Sequence, residues 1–103
     1  MLYSDENQPV VKAIRFYKES GNKAFAAGKY REAKLLYEVC ISQSCDNDLA
    51  DLGNEETKMI VAQAYSNMSN TLSNLGETKE ALADAEIAVE LAPTWHKVNK
   101  IFY

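Results

Sequence analysis

The sequence predicts an all-α domain of stacked antiparallel helical hairpins. Three observations predict it: the residue composition, the spacing of apolar residues, and a turn sequence that occurs twice. Ala, Leu, Glu and Lys recur throughout the 103 residues, with only four Gly and two Pro, and this composition favours helices. Hydrophobic residues make up 47% of the chain and charged residues 25%, as in an ordinary globular protein. The length suits one domain with a single modest core.

The repeated turn sequence reads Gly-x-x-basic-Glu-Ala, and it begins at Gly28 and again at Gly76. Each copy follows a stretch in which apolar residues are three or four positions apart, as on one face of a helix. Glycine is a common residue just past the end of a helix. Two such turns in register predict two copies of one helix–turn–helix unit.

Apolar residues at helical spacing predict five helices along the chain. The first includes Ile14 on its buried stripe and ends at Gly28, and the third ends at Gly76. Thr78 is the predicted N-cap of the fourth helix, and Pro93 follows its end. Short connections within the first two pairs predict that each pair is antiparallel. The predicted helices are residues 10–27, 30–42, 55–75, 79–91 and 95–103.

The helical domain is predicted to span residues 10–103, after an N-terminal tail at residues 1–9. Residues 43–54 are polar, acidic and turn-forming, so they are predicted to be an insertion between the second and third helices. The acidic residues there lack the spacing, the Gly and the Glu of an EF-hand calcium loop. A solvated loop is therefore expected.

Charge, hydropathy and cysteine content argue against several classes of partner and indicate a compartment. The net charge of −4 argues against nucleic-acid binding, because phosphate contacts require a basic surface. The N-terminus lacks the features of a signal peptide, and no apolar stretch approaches the roughly 20 residues of a membrane span. Cys40 and Cys45 suggest no disulfide framework. A cytoplasmic protein without nucleic-acid or membrane partners is expected.

The sequence shows no pattern typical of catalysis. His96 is the only histidine, and no nucleophile or carboxylate is placed to work with it. Cys40 falls on an apolar stripe and is expected to be a small buried hydrophobe rather than half of a metal or redox pair. We therefore predict a protein that is not an enzyme, with no catalytic residues, no metal site and no cofactor.

The sequence resembles the tetratricopeptide-repeat (TPR) family over roughly residues 10–103. The 48-residue offset between the two turns equals the 34-residue period of that family plus an insertion of about 14 residues. The chain departs from the family pattern at Thr78, where an aromatic residue is usual, and at Ser69, where Gly is usual. The matching residues are Gly21, Phe25, Gly28, Tyr30, Ala33 and Tyr37 in the first repeat, and Leu72, Leu75, Gly76, Ala81, Ala85, Ala88, Leu91 and Pro93 in the second.

The TPR resemblance implies a superhelix of two repeats and the start of a third. Its concave face is lined by the first helix of each hairpin and suits an extended peptide. Small residues such as Gly21 and Ala24 are expected to let the helix backbones approach closely.

The sequence resembles the dicarboxylate-clamp TPR domains at four polar positions of their clamp: Lys18, Asn22, Asn67 and Lys97. That resemblance implies a co-chaperone adaptor that binds heat-shock 70 kDa and 90 kDa chaperones. In the family, two lysines, two asparagines and an arginine grip the terminal carboxylate and last Asp side chain of chaperone tails ending in Glu-Glu-Val-Asp. The residue types fit this chemistry, because lysines supply charge and asparagine amides supply directional donors.

The family's fifth clamp position departs from the pattern, since Ile101 stands where Arg is usual. Lys100 lies one residue earlier and points about 100° away around a helix. Lys100 is therefore predicted to be a weak contributor, because an ammonium cannot reproduce the bidentate contacts of a guanidinium. The alternative function is that of a TPR scaffold that assembles a different protein complex without binding chaperone tails.

The predicted fifth helix carries apolar and aromatic residues that no following helix covers. TPR arrays normally end in a polar capping helix, so the chain is expected to be part of a longer repeat domain. We also expect self-association, in which the uncovered end of this helix pairs with a second copy of the chain. The residues concerned are Val98, Ile101, Phe102 and Tyr103.

Overall fold

The computed structural model describes residues 9–46 and 55–92, and these ranges form four α-helices with no strand among them. The predicted all-α fold of helical hairpins is confirmed. Pro9, the last residue of the predicted N-terminal tail, is the first residue of the first helix. The rest of that tail, most of the insertion and the predicted fifth helix lie outside the described residues. The helices are α1 (Pro9–Ala26), α2 (Tyr30–Asp46), α3 (Glu55–Asn74) and α4 (Thr78–Leu91).

The helices pair as two TPR-like hairpins, α1 with α2 and α3 with α4, and α2 also packs on α3 while α1 touches it. The repeated glycine builds the same turn in both hairpins. Gly28 has φ 77° and Gly76 has φ 82°, in the left-handed region that glycine adopts without strain. The next residue in each turn donates its N–H back to the helix, from Lys29 N to Ala24 O and from Glu77 N to Leu72 O, both at 2.9 Å. These bonds satisfy carbonyls that a helix end leaves without partners.

Small side chains fill much of the core and let the helices approach closely. Ala33, Ala62, Ala64 and Ala88 are fully buried. Cys40 is also fully buried, as predicted, and burial raises the pKa of its thiol to about 12. Along the part of the chain that the structure describes, no helix has both the length and the apolarity needed to cross a membrane.

The second helix is longer than the sequence predicts. We predict its end at Ser42, but α2 continues to Asp46. Ser44 is buried, and its Oγ donates to the carbonyl of Ile41 at 2.7 Å. A serine hydroxyl that bonds back to its own helix needs no partner in solvent, so these polar residues continue the helix and the insertion begins later.

The predicted N-cap of α4 is wrong. Thr78 is the first helical residue, and Glu77 occupies the cap position without a side-chain hydrogen bond to the helix. The Glu77 carboxylate instead lies 3.1 Å from the ammonium nitrogen of Lys34 on α2. This salt bridge links the two hairpins at the start of α4.

Gly21 allows α1 to pack directly against the ring of Tyr37 on α2. A Cβ at Gly21 would lie 2.6 Å from Tyr37 Cε1 and 2.8 Å from its Cδ1. The ring is only 1% exposed, so it has little room to move aside. We therefore expect Gly21→Ala to lower the free energy of unfolding by about 1–3 kcal/mol through overpacking.

Urea denaturation of Gly21→Ala checks this prediction, with Lys23→Ala on the exposed face of the same helix as the control. In a helix interior, Ala is otherwise favoured over Gly by about 0.5–1 kcal/mol. A Gly21→Ala variant more stable than the parent protein would therefore show that Tyr37 does not need the glycine.

Candidate functional site

A pocket of about 240 Å³ opens beside the contact between α1 and α3. Polar groups dominate its lining, which comprises Asn22, Phe25, Tyr37, Asn67 and Asn70. Three side-chain amides and one hydroxyl thus face a single cavity. Such a cavity suits a ligand that accepts several hydrogen bonds.

The amide of Asn22 lies at the centre of a hydrogen-bond network that joins three helices. Its Oδ1 accepts a hydrogen bond from the Tyr37 hydroxyl and a second, 2.8 Å long, from Asn67 Nδ2. Because both neighbours donate to this one atom, the amide orientation of Asn22 is fixed. Its Nδ2 is then the remaining polar group, and no acceptor for it occurs among residues 9–46 and 55–92. Asn22 is exposed, so a ligand can reach that donor.

Tyr37 is a permanent donor in this network. Burial raises the pKa of its hydroxyl to about 12, and a hydrogen bond with Asn67 opposes the rise. The hydroxyl therefore stays protonated across the physiological pH range. It holds the orientation of Asn22 without changing charge.

Lys18 lies one helical turn before Asn22 and brings positive charge to the same side of α1. Its Nζ donates to Gln63 Oε1 at 2.6 Å, and Gln63 lies one turn before Asn67 on α3. Two side-chain contacts therefore connect the helices in parallel, Lys18 with Gln63 and Asn22 with Asn67. The contacts place one ammonium and two amides along one surface.

The structure brings together three of the five residues that the sequence suggests for the site. Lys18, Asn22 and Asn67 share the α1–α3 surface, whereas Lys97 and Lys100 lie outside the described residues. Sequence reasoning misses Gln63, Tyr37 and Asn70. The spacing of four residues between Gln63 and Asn67 matches that between Lys18 and Asn22, and this signal could have identified Gln63.

The chain is similar to a segment of Hsp70-Hsp90 organizing proteins. It is 35% identical to the "Hsp70-Hsp90 organizing protein" of Triticum aestivum over 80 residues, 78% of this chain. It is 34% identical to "Hsp70-Hsp90 organizing protein 1" of Glycine max over 80 residues, again 78% of this chain. The "Protein STIP1 homolog" of Dictyostelium discoideum is 31% identical over 81 residues, or 79% of this chain.

The similarity concerns one part of much larger proteins. The chain spans only 11% of the wheat relative and 12% of each of the other two. No family model and no solved structure matches the chain.

Tyr37→Phe tests whether the tyrosine hydroxyl orients Asn22. The variant keeps the buried ring but removes one of the two donors to Asn22 Oδ1, so we expect a loss of about 1 kcal/mol in stability. We also expect the side-chain NH₂ signals of Asn22 to shift in NMR spectra. Tyr30→Phe is the matched control, because the Tyr30 hydroxyl makes no hydrogen bond within the described part of the chain. Unchanged Asn22 signals in Tyr37→Phe would contradict the network.

Proposed function

We propose that this domain is a protein-interaction adaptor that binds the acidic C-terminal tails of heat-shock 70 kDa and 90 kDa chaperones. The tails, of the Glu-Glu-Val-Asp type, would be held by a carboxylate clamp that includes Lys18, Asn22 and Asn67. The observation that carries the proposal is the contact of Asn22 with Asn67, one turn from Lys18. The printed names of two of the three relatives support it, since each is an organizing protein named for Hsp70 and Hsp90.

The geometry of Asn22 suits a carboxylate ligand. Its oxygen is occupied by two donors from the protein, so the group that it offers to a ligand is an N–H donor. A carboxylate accepts such hydrogen bonds, and a nearby ammonium strengthens them by adding charge. Neutral amides add donors without adding repulsion among cations.

The expected affinity is modest. A peptide's last Asp presents two carboxylates, and each charge-assisted hydrogen bond contributes about 1.5–3 kcal/mol. Three or four such bonds, less the cost of ordering the peptide, give about −6 to −8 kcal/mol, which corresponds to a micromolar-class complex. Lys97 would supply the second ammonium, and Lys100 would contribute weakly beside Ile101.

A peptide titration tests the proposal directly. A synthetic peptide that ends in Glu-Glu-Val-Asp as the free acid is expected to bind in calorimetry. The same peptide with a C-terminal amide is expected to bind at least about tenfold more weakly, because it lacks one of the two carboxylates. Equal affinity for acid and amide peptides would refute the clamp and favour a scaffold for another complex.

Asn22→Asp separates binding from folding. This substitution keeps the oxygen that accepts hydrogen bonds from Tyr37 and Asn67, but replaces the outward N–H donor by a negatively charged oxygen. We expect binding of the free-acid peptide to be lost while the melting temperature changes little. The matched control is Ala83→Asp, which adds the same charge at an exposed position of α4. Retained binding in Asn22→Asp would remove Asn22 from the clamp.

Lysine substitutions and salt test the electrostatic part of the site. Lys18→Ala is expected to weaken binding of the free-acid peptide at least about tenfold, since it removes a charged donor. Lys12→Ala, at an exposed position of the same helix, is expected to leave affinity within about twofold, as typical of an exposed charge. Affinity for the free-acid peptide should also fall severalfold between about 0.05 and about 0.5 M salt as screening increases. A salt-independent affinity would contradict a charge-assisted clamp.

A further inference from the structure

A second pocket, of about 340 Å³, lies between α2, α3 and α4. Its lining from α3 includes Tyr65, Met68 and Leu72. At about 100° per residue, these three side chains lie on the opposite face of α3 from Asn67 and Asn70. This pocket, which we call the α2–α4 pocket, is therefore separate from the candidate carboxylate site.

The α2–α4 pocket combines apolar side chains with carboxylates. Met68 and Leu72 are 4% and 3% exposed, so their atoms form an apolar floor. Glu38, Glu80 and Asp84 line the same pocket. The cation in the described lining is Lys34.

The charge of Lys34 is already matched by a carboxylate outside the lining. Its ammonium nitrogen lies 3.1 Å and 3.3 Å from the two carboxylate oxygens of Glu77. The pKa of Lys34 is raised, mainly by this hydrogen bond. Lys34 also interacts electrostatically with Glu38 and Glu80. Among the described residues that line the pocket, three carboxylates therefore face one ammonium that already has a carboxylate partner.

Asp84 is the lining carboxylate that loses solvent without gaining a compensating contact from the described residues. It is half-buried, and no hydrogen bond or salt bridge to it occurs among residues 9–46 and 55–92. Burial first, and then the charges of Glu80 on α4 and Glu38 on α2, together raise its pKa to about 6. Tyr65 also faces it, and burial raises the pKa of that hydroxyl to about 12, so Tyr65 stays neutral. Among the described residues, no cation forms a salt bridge with this carboxylate.

We propose that the α2–α4 pocket binds a lysine or arginine side chain of a partner protein, flanked in that partner by apolar residues. The cation would meet Asp84, Glu80 and Glu38, and its apolar neighbours would pack on the half-buried Ile41 and Tyr65, which line the same pocket above the floor of Met68 and Leu72. Charge complementarity selects this occupant, because an acidic tail of the kind proposed for the α1–α3 site would be repelled. A partially desolvated carboxylate gains more from a cation than an exposed one does.

A pair of synthetic peptides tests this proposal without using the carboxylate site. Both are acetylated and amidated, so neither carries a terminal charge. One presents Leu-Ala-Lys-Ala-Leu, and the other replaces Lys by Gln. The readout is the methyl signal of Met68, one of only three methionines in the chain, followed by NMR titration. We expect the Lys peptide to shift this signal. It should also bind at least about fivefold more tightly than the Gln peptide, because a hydrogen bond between charged groups contributes more binding free energy than a neutral one. Equal binding of both peptides would overturn the proposal.

Asp84→Asn and Glu90→Gln form a matched pair of variants on α4, since each removes one negative charge and Glu90 is exposed. At pH 7.5 we expect Asp84→Asn to weaken binding of the Lys peptide about tenfold, as for the loss of a charged hydrogen bond. Glu90→Gln should change the affinity for that peptide less than twofold. The unsubstituted protein should also lose affinity as pH falls through about 6, where Asp84 takes up a proton. Similar affinities in the two variants, or a shift of Asn22 signals in place of Met68, would contradict the proposed site.

The stability of the free protein gives an independent check on the unpaired carboxylate. The folded-state pKa of Asp84, about 6, lies above its ordinary value of 3.8. The folded protein therefore holds this proton more tightly than the unfolded chain, and the group's contribution to stability falls as pH rises through that window. We expect Asp84→Asn to raise the melting temperature by about 3 °C at pH 7.5, with the gain vanishing below about pH 4. No gain at pH 7.5 would mean that Asp84 is paired in the folded protein.

Discussion

The contact between the backbone of α1 at Gly21 and the buried ring of Tyr37 constrains the rest of this structure. Because residue 21 has no side chain, the ring lies directly against α1, and its hydroxyl reaches Asn22 on that helix. Asn22 then accepts a second hydrogen bond from Asn67 on α3. One missing methyl group thus allows a chain of contacts to run from the first hairpin to the second and to orient an amide in the α1–α3 pocket.

The helix α3 gives the domain two surfaces of opposite character. One face carries Gln63 and Asn67, which contact Lys18 and Asn22 on α1. The opposite face lines a pocket with an apolar floor and acidic side chains from α2 and α4. This helix therefore contributes to two different pockets, while Met68 and Leu72 also belong to the buried core. On the proposals made above, an acidic tail and a basic segment could occupy one domain without competing.

Much of the fold follows from local signals. The repeated glycines predict the turns because such turns need a residue in the left-handed backbone region. The φ angles of Gly28 and Gly76 lie in that region. The end of α2 was not predictable from polarity, because Ser44 satisfies its hydroxyl within the helix. The cap of α4 was missed because Glu77 contacts Lys34, a residue 43 positions earlier. In the candidate site, Lys18, Asn22 and Asn67 could be predicted from the family resemblance. Tyr37 could not, because the sequence pattern identifies its ring as a packing residue and does not show that its hydroxyl reaches Asn22.

The most direct measurement of the central idea is an NMR titration of protein labelled with ¹⁵N only at asparagine, using a free-acid peptide that ends in Glu-Glu-Val-Asp. If the α1–α3 site binds the terminal carboxylates, the side-chain signals of Asn22 and Asn67 will shift together and saturate with one shared affinity. The signal of Asn74, at the far end of α3, will stay in place. Binding of the peptide with Asn22 and Asn67 unmoved would contradict the account.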